Sequence, residues 1–536
     1  MSKSKVIFER SPRDQQRRRW GWDRWTCTAL ALLAWALRLR PALDNRFHAD
    51  EALYGYWGLL IGQGRDPWLV GVPVYKPPLL PYLVASSQAL FGGDGSADGE
   101  FIVRFSGLAA GLLMVPLVAA LAHSLYRERT AAVMAAVGVA LSPFAILFAA
   151  TAFTDPVMVT LGLAACVAAA RNRPGWAGLL AGLSFATKQP GLIWLPLALV
   201  IQIAIRPNRD IRNSQFASTA AVGIRNWILV VGLAFAWDAV RVAQGAQSFW
   251  RLGVSGYGGL RFIWPLELLP RLRGWLGLAG YFFVSPILNG VLIVGLPVLV
   301  WRAIRMAVPN SEWRAITHRR YAQKSVADLA LVFFSLTYFF LHWLCAFPVW
   351  DRYLLPLIPI LSILLARILM LCATHVRHSS QLVTRNSQFA IRNSQLAILL
   401  FAILILPAWN AAHSRYPIGG DHWAYSGIDD AAAFLRALPE GTVVYQHWLG
   451  WHYAYYLFDA PVYLAYWPTP SWLARDVQAF GANDPRYITF PSWESSARVE
   501  GALAGVGYEL EPVLAATRRD DSLSFTVYRI QLLLDE

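Results

Sequence analysis

Charge and cysteine are both scarce in this chain of 536 residues. Only 15% of the residues are charged, 56% are hydrophobic, and the mean hydropathy is +0.40. Soluble proteins carry roughly a quarter charged residues, so this composition excludes an ordinary soluble protein. The few cysteines lie in or beside apolar segments and none falls in the polar C-terminal region, which excludes a disulfide framework. They are Cys27, Cys166, Cys345 and Cys372.

Long apolar runs are what the chain has in abundance. They approach the roughly 20 residues that cross a bilayer, and they predict a mostly α-helical, polytopic membrane protein with about eleven transmembrane helices. The predicted spans are 25–43, 104–124, 130–150, 156–170, 175–188, 190–205, 224–240, 276–301, 327–347, 354–372 and 395–410. Two of them, 175–188 and 190–205, are short, and a broken hairpin around "TKQPG" is the alternative there.

The basic residues predict an orientation in the membrane. The net charge is +14, but the arginines collect beside apolar runs, which the positive-inside rule explains better than a nucleic-acid partner does. The basic stretch 1–24 has no clear cleavage site, so we expect a cytoplasmic tail followed by an uncleaved first helix. The arginine-rich stretches then alternate onto the cytoplasmic side. The first outer loop, 44–103, and the C-terminal region fall on the opposite side.

The composition changes after about residue 410. Aromatic and β-branched runs at 441–458, 485–493, 506–514 and 523–533 are typical of strands, and 427–439 and 495–505 are typical of helices. We therefore predict a transmembrane domain over 25–410 and a small extracytoplasmic α/β domain over 411–536. The many Trp and Tyr residues of this domain suit contact with a membrane, a sugar or the transmembrane part, but they also suit a small core.

Ionisable residues stand at the predicted outer ends of several apolar segments. They lie in "HADEALYGYWGLLIGQG", "VYKPPLLPYL", "FTDPVMV" and "WDRYLLPLIP", and comprise Asp50, Glu51, Lys76, Asp155, Arg352 and Tyr353. Each stretch has a structural explanation: helix capping at Asp50 and Asp155, a lysine reaching the headgroups, and an interfacial Arg–Tyr anchor. Together, however, they bring acids and bases to one side of the membrane. Such a set suits a lipid phosphate held at the interface, with a carboxylate nearby to take a proton.

These stretches resemble the GT-C glycosyltransferases, in the branch of the protein O-mannosyltransferases and aminoarabinose transferases. In that family an Asp-Glu pair follows the first helix and a Lys-Pro-Pro segment comes next, as in "HADEALYGYWGLLIGQG" and "VYKPPLLPYL". The stretches "TDP", "ATKQPG" and "RYLLPLIP" follow in the order that the family uses. The resemblance covers about 25–410, and the C-terminal region is similar only as an outer α/β appendage.

The resemblance implies an enzyme that moves a sugar from a polyprenyl-phosphate donor to an acceptor hydroxyl on the outer face of the membrane, with inversion. Asp50 would then be the general base, Glu51 would support it, and Asp155 would orient the acceptor or the attacking region. The acceptor is a protein, a lipid or a glycan, and neither it nor the sugar is specified by the sequence. A bacterial inner membrane fits the uncleaved basic start and the sparse cysteines.

The resemblance also implies a binding site for the departing phosphate. Lys76 and Arg352 would hold it by charge-assisted hydrogen bonds, with Tyr353 as a further donor. Lys188 of "ATKQPG" would lie near the lipid.

A divalent metal ion is a possible cofactor, because some relatives use one. His48 and Asp50 are the candidate ligands, although near-adjacent residues at a helix start cannot easily all face one ion.

Two other functions compete with glycosyl transfer. A transporter or flippase for a lipid-linked sugar would need ionisable residues deep inside the spans and internal symmetry. A non-catalytic membrane scaffold would leave the grouping of acids and bases without a purpose.

Overall fold

The computed structural model describes residues 12–205, 214–256, 261–307, 315–383, 393–420 and 422–533. The first eleven residues of the predicted tail 1–24, and parts of the arginine-rich stretches at 206–213 and 308–314, lie outside the described residues. The described helices are α1 (Pro12–Asp44), α2 (Ala49–Gly62), α3 (Leu79–Phe91), α4 (Gly99–Tyr126), α5 (Arg129–Leu141), α6 (Pro143–Ala149), α7 (Thr154–Ala170), α8 (Pro174–Thr187), α9 (Trp194–Ile205), α10 (Ser214–Ala243), α11 (Phe249–Gly256), α12 (Leu268–Ala279), α13 (Pro286–Ala307), α14 (Ala315–Leu344), α15 (Leu357–Val383), α16 (Asn393–Ala412), α17 (Ile428–Arg436), α18 (Gly450–Tyr456), α19 (Pro470–Phe480) and α20 (Ala497–Ala504).

Six of the described helices are long and apolar enough to cross a membrane, namely α4, α10, α13, α14, α15 and α16. The bent pair α5 and α6 makes a seventh if it is counted as one span. Shorter apolar helices cover Leu79–Phe91, Thr154–Ala170 and Gln189–Ile205. The protein is therefore a mostly helical integral membrane protein, and the count of about eleven spans stays a prediction.

The predicted span 276–301 is wrong as a single helix. Helix α12 ends at Ala279 and α13 begins at Pro286, with a turn between them in which Val284 has a φ of 48°. The Asn289 side chain donates to the Gly280 carbonyl over 3.0 Å and closes this turn. A proline is favourable at a first helical position because its missing N–H would have no partner there.

The break between α5 and α6 follows from Pro143. The two helices meet at an angle of 56°. Pro143 has no N–H to offer the Val139 carbonyl, so the helix cannot continue through it. The buried Arg38 of α1 replaces the missing donor, with bonds of 3.2 Å to the Val139 carbonyl and 3.1 Å to the Ala140 carbonyl. The chain leaving α6 then leads directly to the start of α7, where Asp155 lies.

The C-terminal region carries a mixed five-stranded sheet with the order β2-β1-β3-β5-β4. Its strands are β1 (Val443–Gln446), β2 (Tyr463–Tyr466), β3 (Arg486–Pro491), β4 (Tyr508–Thr517) and β5 (Leu523–Leu532). Strand β1 pairs in parallel with β2 and β3, whereas β5 pairs antiparallel with β3 and β4. This arrangement confirms the predicted small α/β part.

The strand predicted over 441–458 is correct only in its first part. The stretch 441–458 forms the short strand β1 and then the helix α18, because Tyr453 and Tyr456 are three residues apart and both are buried on one helix face. Strand β2 and helix α19 were not predicted from the sequence. Thr469 caps α19 by accepting the amide of Trp472 over 3.2 Å.

Helix α18 packs against α2 and fixes the loop over 44–103. The His452 ring bonds to the Phe47 carbonyl over 2.9 Å, and the Tyr456 hydroxyl donates to Glu100. A Cβ atom at Gly55 of α2 would lie only 2.8 Å from the Tyr455 ring, so this close approach requires glycine. The C-terminal region therefore supports the loop that carries the Asp-Glu pair.

Candidate active site

His48, not Asp50, is the N-cap of α2. The His48 Nδ1 atom accepts the Asp50 amide over 3.0 Å, and the Glu51 carboxylate accepts the His48 amide over 3.0 Å. This reciprocal pair is a capping box with histidine in the first position. Because His48 caps the helix, the Asp50 carboxylate does not bond to the helix start and contacts other side chains.

Glu51 is buried and is paired with Arg104 of α4. The Arg104 Nε atom lies 2.9 Å from Glu51 Oε1 and its Nη2 atom 3.2 Å from Oε2, a bidentate contact. Burial raises the pKa of Glu51, but the guanidinium outweighs it, and the pKa lies below its ordinary value. The carboxylate also accepts the Ala152 amide over 2.8 Å. Glu51 thus ties the start of α2 to the segment that leads into α7.

The Asp50 carboxylate lies between a guanidinium and a phenol. Arg352 Nη1 lies 2.5 Å from Asp50 Oδ2, and the Tyr75 hydroxyl donates to Oδ1 over 3.2 Å. Burial raises the pKa of Asp50, but the charge and hydrogen bond of Arg352, together with the charges of His48 and Lys76, outweigh burial and lower this pKa to about 2. Asp50 is therefore ionised, and it is a weak base while it is paired with Arg352.

Asp155 holds Lys188. The Lys188 Nζ atom lies 2.7 Å from Asp155 Oδ1 and 2.8 Å from Oδ2, and both side chains are buried. Asp155 is the second residue of α7 rather than its cap, because Phe153 occupies the capping position and makes no side-chain bond there. The Asp155 carboxylate therefore forms an ion pair with Lys188.

Lys76 lies inside the protein, with only 2% of its surface exposed. Its Nζ atom lies 5.2 Å from the centre of the Tyr75 ring. Burial lowers the pKa of Lys76 well below its ordinary value, and the like charges of Lys188 and Arg352 lower it further. A bound anion would offset this repulsion.

Arg352 and Tyr353 lie in a 3₁₀ turn, Asp351–Leu354. The Arg352 guanidinium lies 4.4 Å from the Trp350 ring and 5.1 Å from the Phe153 ring, which restricts its movement. The Tyr353 ring lies 4.7 Å from the Lys188 Nζ atom. Asp351 does not face these cations, because its carboxylate accepts the amides of Arg352 and Gly419 over 2.8 and 2.7 Å.

A cavity of about 370 Å³ opens beside the cations. Both lysines line it together with mainly apolar side chains: Lys76, Lys188, Gln189, Pro190, Leu192, Ile193, Trp250, Gly253, Val254, Tyr338, Leu341, His342, Cys345, Phe347 and Tyr353. Its volume is in the range of small-molecule binding sites. A mostly apolar cavity with ammonium groups in its wall suits an amphiphile with an anionic head.

The chain is similar to known glycosyltransferases in sequence. Residues 75–233 match the family model described as dolichyl-phosphate-mannose-protein mannosyltransferase. The undecaprenyl phosphate-alpha-4-amino-4-deoxy-L-arabinose arabinosyl transferase of Yersinia enterocolitica is 26% identical over 371 residues, which cover 65% of this chain. The match spans 60% of the length of that relative.

Solved structures show the same architecture. ArnT from Cupriavidus metallidurans, bound to undecaprenyl phosphate, aligns with a TM-score of 0.59 at 15% identity, over 95% of this chain and 98% of ArnT. The fold is that of the GT-C glycosyltransferases. The Archaeoglobus fulgidus oligosaccharyltransferase aligns with a TM-score of 0.51 at 14% identity, over 94% of this chain and 74% of its own.

This fold brings most of the residues singled out in the sequence into one neighbourhood. Asp50 contacts Arg352, Asp155 contacts Lys188, and Lys76 lies beside both cations. Glu51 faces Arg104 instead.

Three further residues of this neighbourhood, Arg104, Tyr75 and Gln189, were not predicted from the sequence. An arginine inside an apolar run is costly without a partner, so Arg104 in "FIVRFSGLAAG" carried a signal. Tyr75 and Gln189 carried none, because each is an ordinary neighbour of a lysine in the sequence.

The suggested metal ligands, His48 and Asp50, already have other partners. The His48 Nδ1 atom is occupied by the Asp50 amide, and both Asp50 oxygens are occupied by Tyr75 and Arg352. Within the described part of the chain, no group of three or more His, Cys, Asp or Glu residues is arranged to hold a metal ion.

Proposed function

We propose that this GT-C protein transfers a sugar from a polyprenyl-phosphate donor to an acceptor hydroxyl, with inversion at the anomeric carbon. The observation that carries this proposal is an ionised carboxylate, Asp50, beside cations that adjoin a mostly apolar cavity. The similarity to an arabinosyl transferase and to ArnT bound to undecaprenyl phosphate supports a lipid-linked donor.

The phosphate of the donor binds among Lys76, Lys188 and Arg352. Each cation offers charge-assisted hydrogen bonds, and the planar guanidinium of Arg352 can engage two oxygens. The isoprenoid chain follows the apolar wall of the cavity and leaves toward the membrane. The Tyr353 ring lies against Lys188 and limits the movement of that lysine. The Tyr353 hydroxyl is the further hydrogen-bond donor proposed for the phosphate.

The chemical step needs a base and a stabilised leaving group. The acceptor oxygen attacks the anomeric carbon, and its proton passes to the Asp50 carboxylate. The bond between the anomeric carbon and the phosphate oxygen breaks, and its electron pair remains on the polyprenyl phosphate. A phosphate bound near Arg352 offsets the charge of that guanidinium, which raises the pKa of Asp50 and makes it a stronger base.

Glu51 and Asp155 assist this step indirectly. Glu51 anchors the start of α2 through Arg104 and so fixes the backbone of Asp50. Asp155 holds Lys188 in the empty site, and the donor phosphate competes for that lysine. Both acids therefore act on the position of a neighbour, and neither has to exchange a proton with the substrate.

The same proposal includes the setting of the enzyme. The similarity to ArnT and the apolar helices support a bacterial inner membrane, with the tail 1–24 in the cytoplasm and the domain 411–536 outside it. The acceptor is a hydroxyl of a protein, a lipid or a glycan. A transporter or flippase is less well supported, because the cations of the candidate site lie at one end of the helices rather than along a path through them.

Purified protein in lipid nanodiscs tests the proposal. It is offered radiolabelled polyprenyl-phosphate sugars, with 4-amino-4-deoxy-L-arabinose and mannose first, together with protein, lipid and glycan fractions that supply acceptor hydroxyls, and transfer of the sugar from the lipid is followed. We expect turnover of one donor by the wild type, its loss in Asp50→Asn, and weaker donor binding in Lys76→Ala. Lys324 lies in the first half of α14, whereas His342 of the cavity wall lies near the end of that helix. Lys324→Ala therefore serves as the matched control and should leave turnover unchanged. Saturable binding without release of sugar would favour a carrier, and neither binding nor release would refute a lipid-linked donor.

A further inference from the structure

Tyr75 contacts both the proposed base, Asp50, and the segment that carries Lys188. Its hydroxyl donates to Asp50 Oδ1 over 3.2 Å, and its carbonyl accepts the Gln189 side-chain amide over 2.9 Å. Tyr75 directly precedes Lys76, and Gln189 directly follows Lys188. One residue is therefore in contact with the base and with both lysine-bearing segments.

The Tyr75 hydroxyl fixes the second oxygen of the Asp50 carboxylate. Arg352 holds Oδ2, so without Tyr75 the carboxylate would be free to turn about that one bond. The phenol ring itself is held, because it packs edge-on against the buried Trp57 ring with 5.8 Å between the ring centres. A base that removes a proton during attack must keep its lone pair directed at the acceptor oxygen.

The Gln189 bond fixes the spacing of the two lysines. It connects the extended segment before α3 to the turn after α8, which are far apart in sequence. Helix α11 covers this bond: a Cβ atom at Gly253 would lie 2.9 Å from the Gln189 amide nitrogen and 3.3 Å from the Tyr75 carbonyl oxygen. Only a residue without a side chain lets α11 approach so closely, and this approach limits the access of water to the bond.

We propose that Tyr75 is a positioning residue with two separable effects. Its hydroxyl orients the Asp50 carboxylate for proton transfer, and its carbonyl, held by Gln189, sets the distance between Lys76 and Lys188 for the donor phosphate. This inference rests on the proposed glycosyl transfer and deepens it, because it assigns catalysis to one contact of Tyr75 and donor binding to the other.

Two substitutions separate these effects. Tyr75→Phe keeps the ring and the carbonyl and removes the hydroxyl, so we expect kcat to fall about tenfold, the effect of one lost hydrogen bond to a charged group, with the donor KM within about twofold. Gln189→Ala keeps the hydroxyl and removes the bond to the carbonyl, so we expect the donor KM to rise about fivefold with kcat nearly unchanged.

Tyr82→Phe is the matched control. The Tyr82 hydroxyl donates to the Pro67 carbonyl and accepts the Trp237 indole N–H, away from Asp50, so kcat and KM should both stay at the wild-type values. In an Asp50→Asn background, Tyr75→Phe should have no further effect on kcat, because the oriented group is already lost.

The outcomes are distinct. An active wild type whose kcat is unchanged by Tyr75→Phe overturns the inference and leaves the proposed function standing. Equal losses of kcat and of thermal stability in Tyr75→Phe and Tyr82→Phe also overturn it, since they reduce Tyr75 to a structural role. A wild type that turns over no donor refutes the proposed function, and the inference falls with it. Only the split between kcat and KM supports it.

Discussion

Two clusters of buried and partly buried ionisable side chains lie at different depths in the helical part of the chain. The outer cluster is the candidate site: Asp50, Lys76, Asp155, Lys188 and Arg352. The inner cluster is Tyr126, Glu128, Lys324, Asp328 and Arg367. On α14, Asp328 of the inner cluster and His342 of the cavity wall are about 21 Å apart at 1.5 Å per residue.

The clusters differ in their surroundings. In the inner cluster two ion pairs lie side by side: Lys324 lies 2.5 Å from Glu128, and Arg367 lies 3.4 Å from Asp328, on which the charge of Arg302 also acts. In the outer cluster Asp50 and Asp155 each pair with one cation, Lys76 is a third cation, and both lysines line a cavity. A buried cation beside a cavity is stabilised either by an anion from outside or by loss of its proton. The neighbouring cavity, more than burial, separates a binding site from a structural network.

Asp50→Asn should show the largest effect. Asparagine keeps the size of the side chain but cannot take the acceptor proton, so we expect kcat to fall about a thousandfold, within the range of general-base catalysis. Initial rates of sugar transfer at saturating donor measure it. Asp328→Asn, the same change in the inner cluster, should leave kcat per folded molecule unaltered. Equal losses in both variants would abolish the distinction between the clusters.

Lys76→Ala should come next. Removing one cation from the outer cluster takes away a charge-assisted bond to the phosphate, so we expect the Kd for polyprenyl phosphate to rise about tenfold to a hundredfold. Binding to protein in nanodiscs measures the change. Lys324→Ala should leave this Kd at the wild-type value, and a similar rise there would show that net charge alone controls binding.

Asp328→Asn should have a smaller effect, and on stability rather than on binding. It weakens the 3.4 Å contact with the Arg367 guanidinium, which keeps Glu128 at 4.0 Å, so we expect unfolding to become easier by about 0.5–1.5 kcal/mol, the range of polar contacts inside membrane proteins. Thermal unfolding in detergent measures it. The double variant Asp328→Leu with Arg367→Met should recover part of the loss, since it removes both charges but leaves the Tyr126 hydroxyl without its carboxylate partner. No recovery would mean that the charges themselves are needed.

The effect of pH should be the smallest. The pKa of Lys76 is low in the empty site, because of burial and of Lys188 and Arg352, and a bound phosphate raises it. The donor therefore favours protonated Lys76: affinity is full below the pKa of the free protein and falls as pH rises through it. The slope is at most about tenfold per pH unit, the limit for one proton. Donor Kd from pH 7 to 10 measures it, and Lys76→Arg should flatten the curve. An affinity that rises with pH would contradict this assignment.

The sequence predicted the neighbourhood of the site better than its pairings. Asp50, Lys76, Asp155 and Arg352 all lie at helix ends on one predicted side, so their proximity followed from the spans. The partner of Glu51 did not follow, because Arg104 reaches it only through the packing of α4 against the first loop. Consecutive residues of a helix point about 100° apart, which explains why two adjacent acids have separate partners.

The helices were predicted better than the C-terminal region for a similar reason. An apolar run long enough to cross a bilayer is a strong local signal, and a proline inside it, as at Pro286, was the main source of error. The four-residue strand β2 and the helix α18 depend on contacts with distant segments, such as that of His452 with Phe47. Local patterns carry little information about such short elements.

The bond between the Gly419 amide and Asp351 decides how this protein can be recombined with its relatives. It reaches from the linker after α16 to the turn that carries Arg352, and Gly419 has a φ of 89° that suits glycine alone. A hybrid in which a relative's C-terminal domain begins after residue 427 retains the native linker, including the Gly419 amide. A hybrid joined at Ala412 brings a foreign linker against Asp351, so an exchange of domains would also alter the turn from which Arg352 holds Asp50.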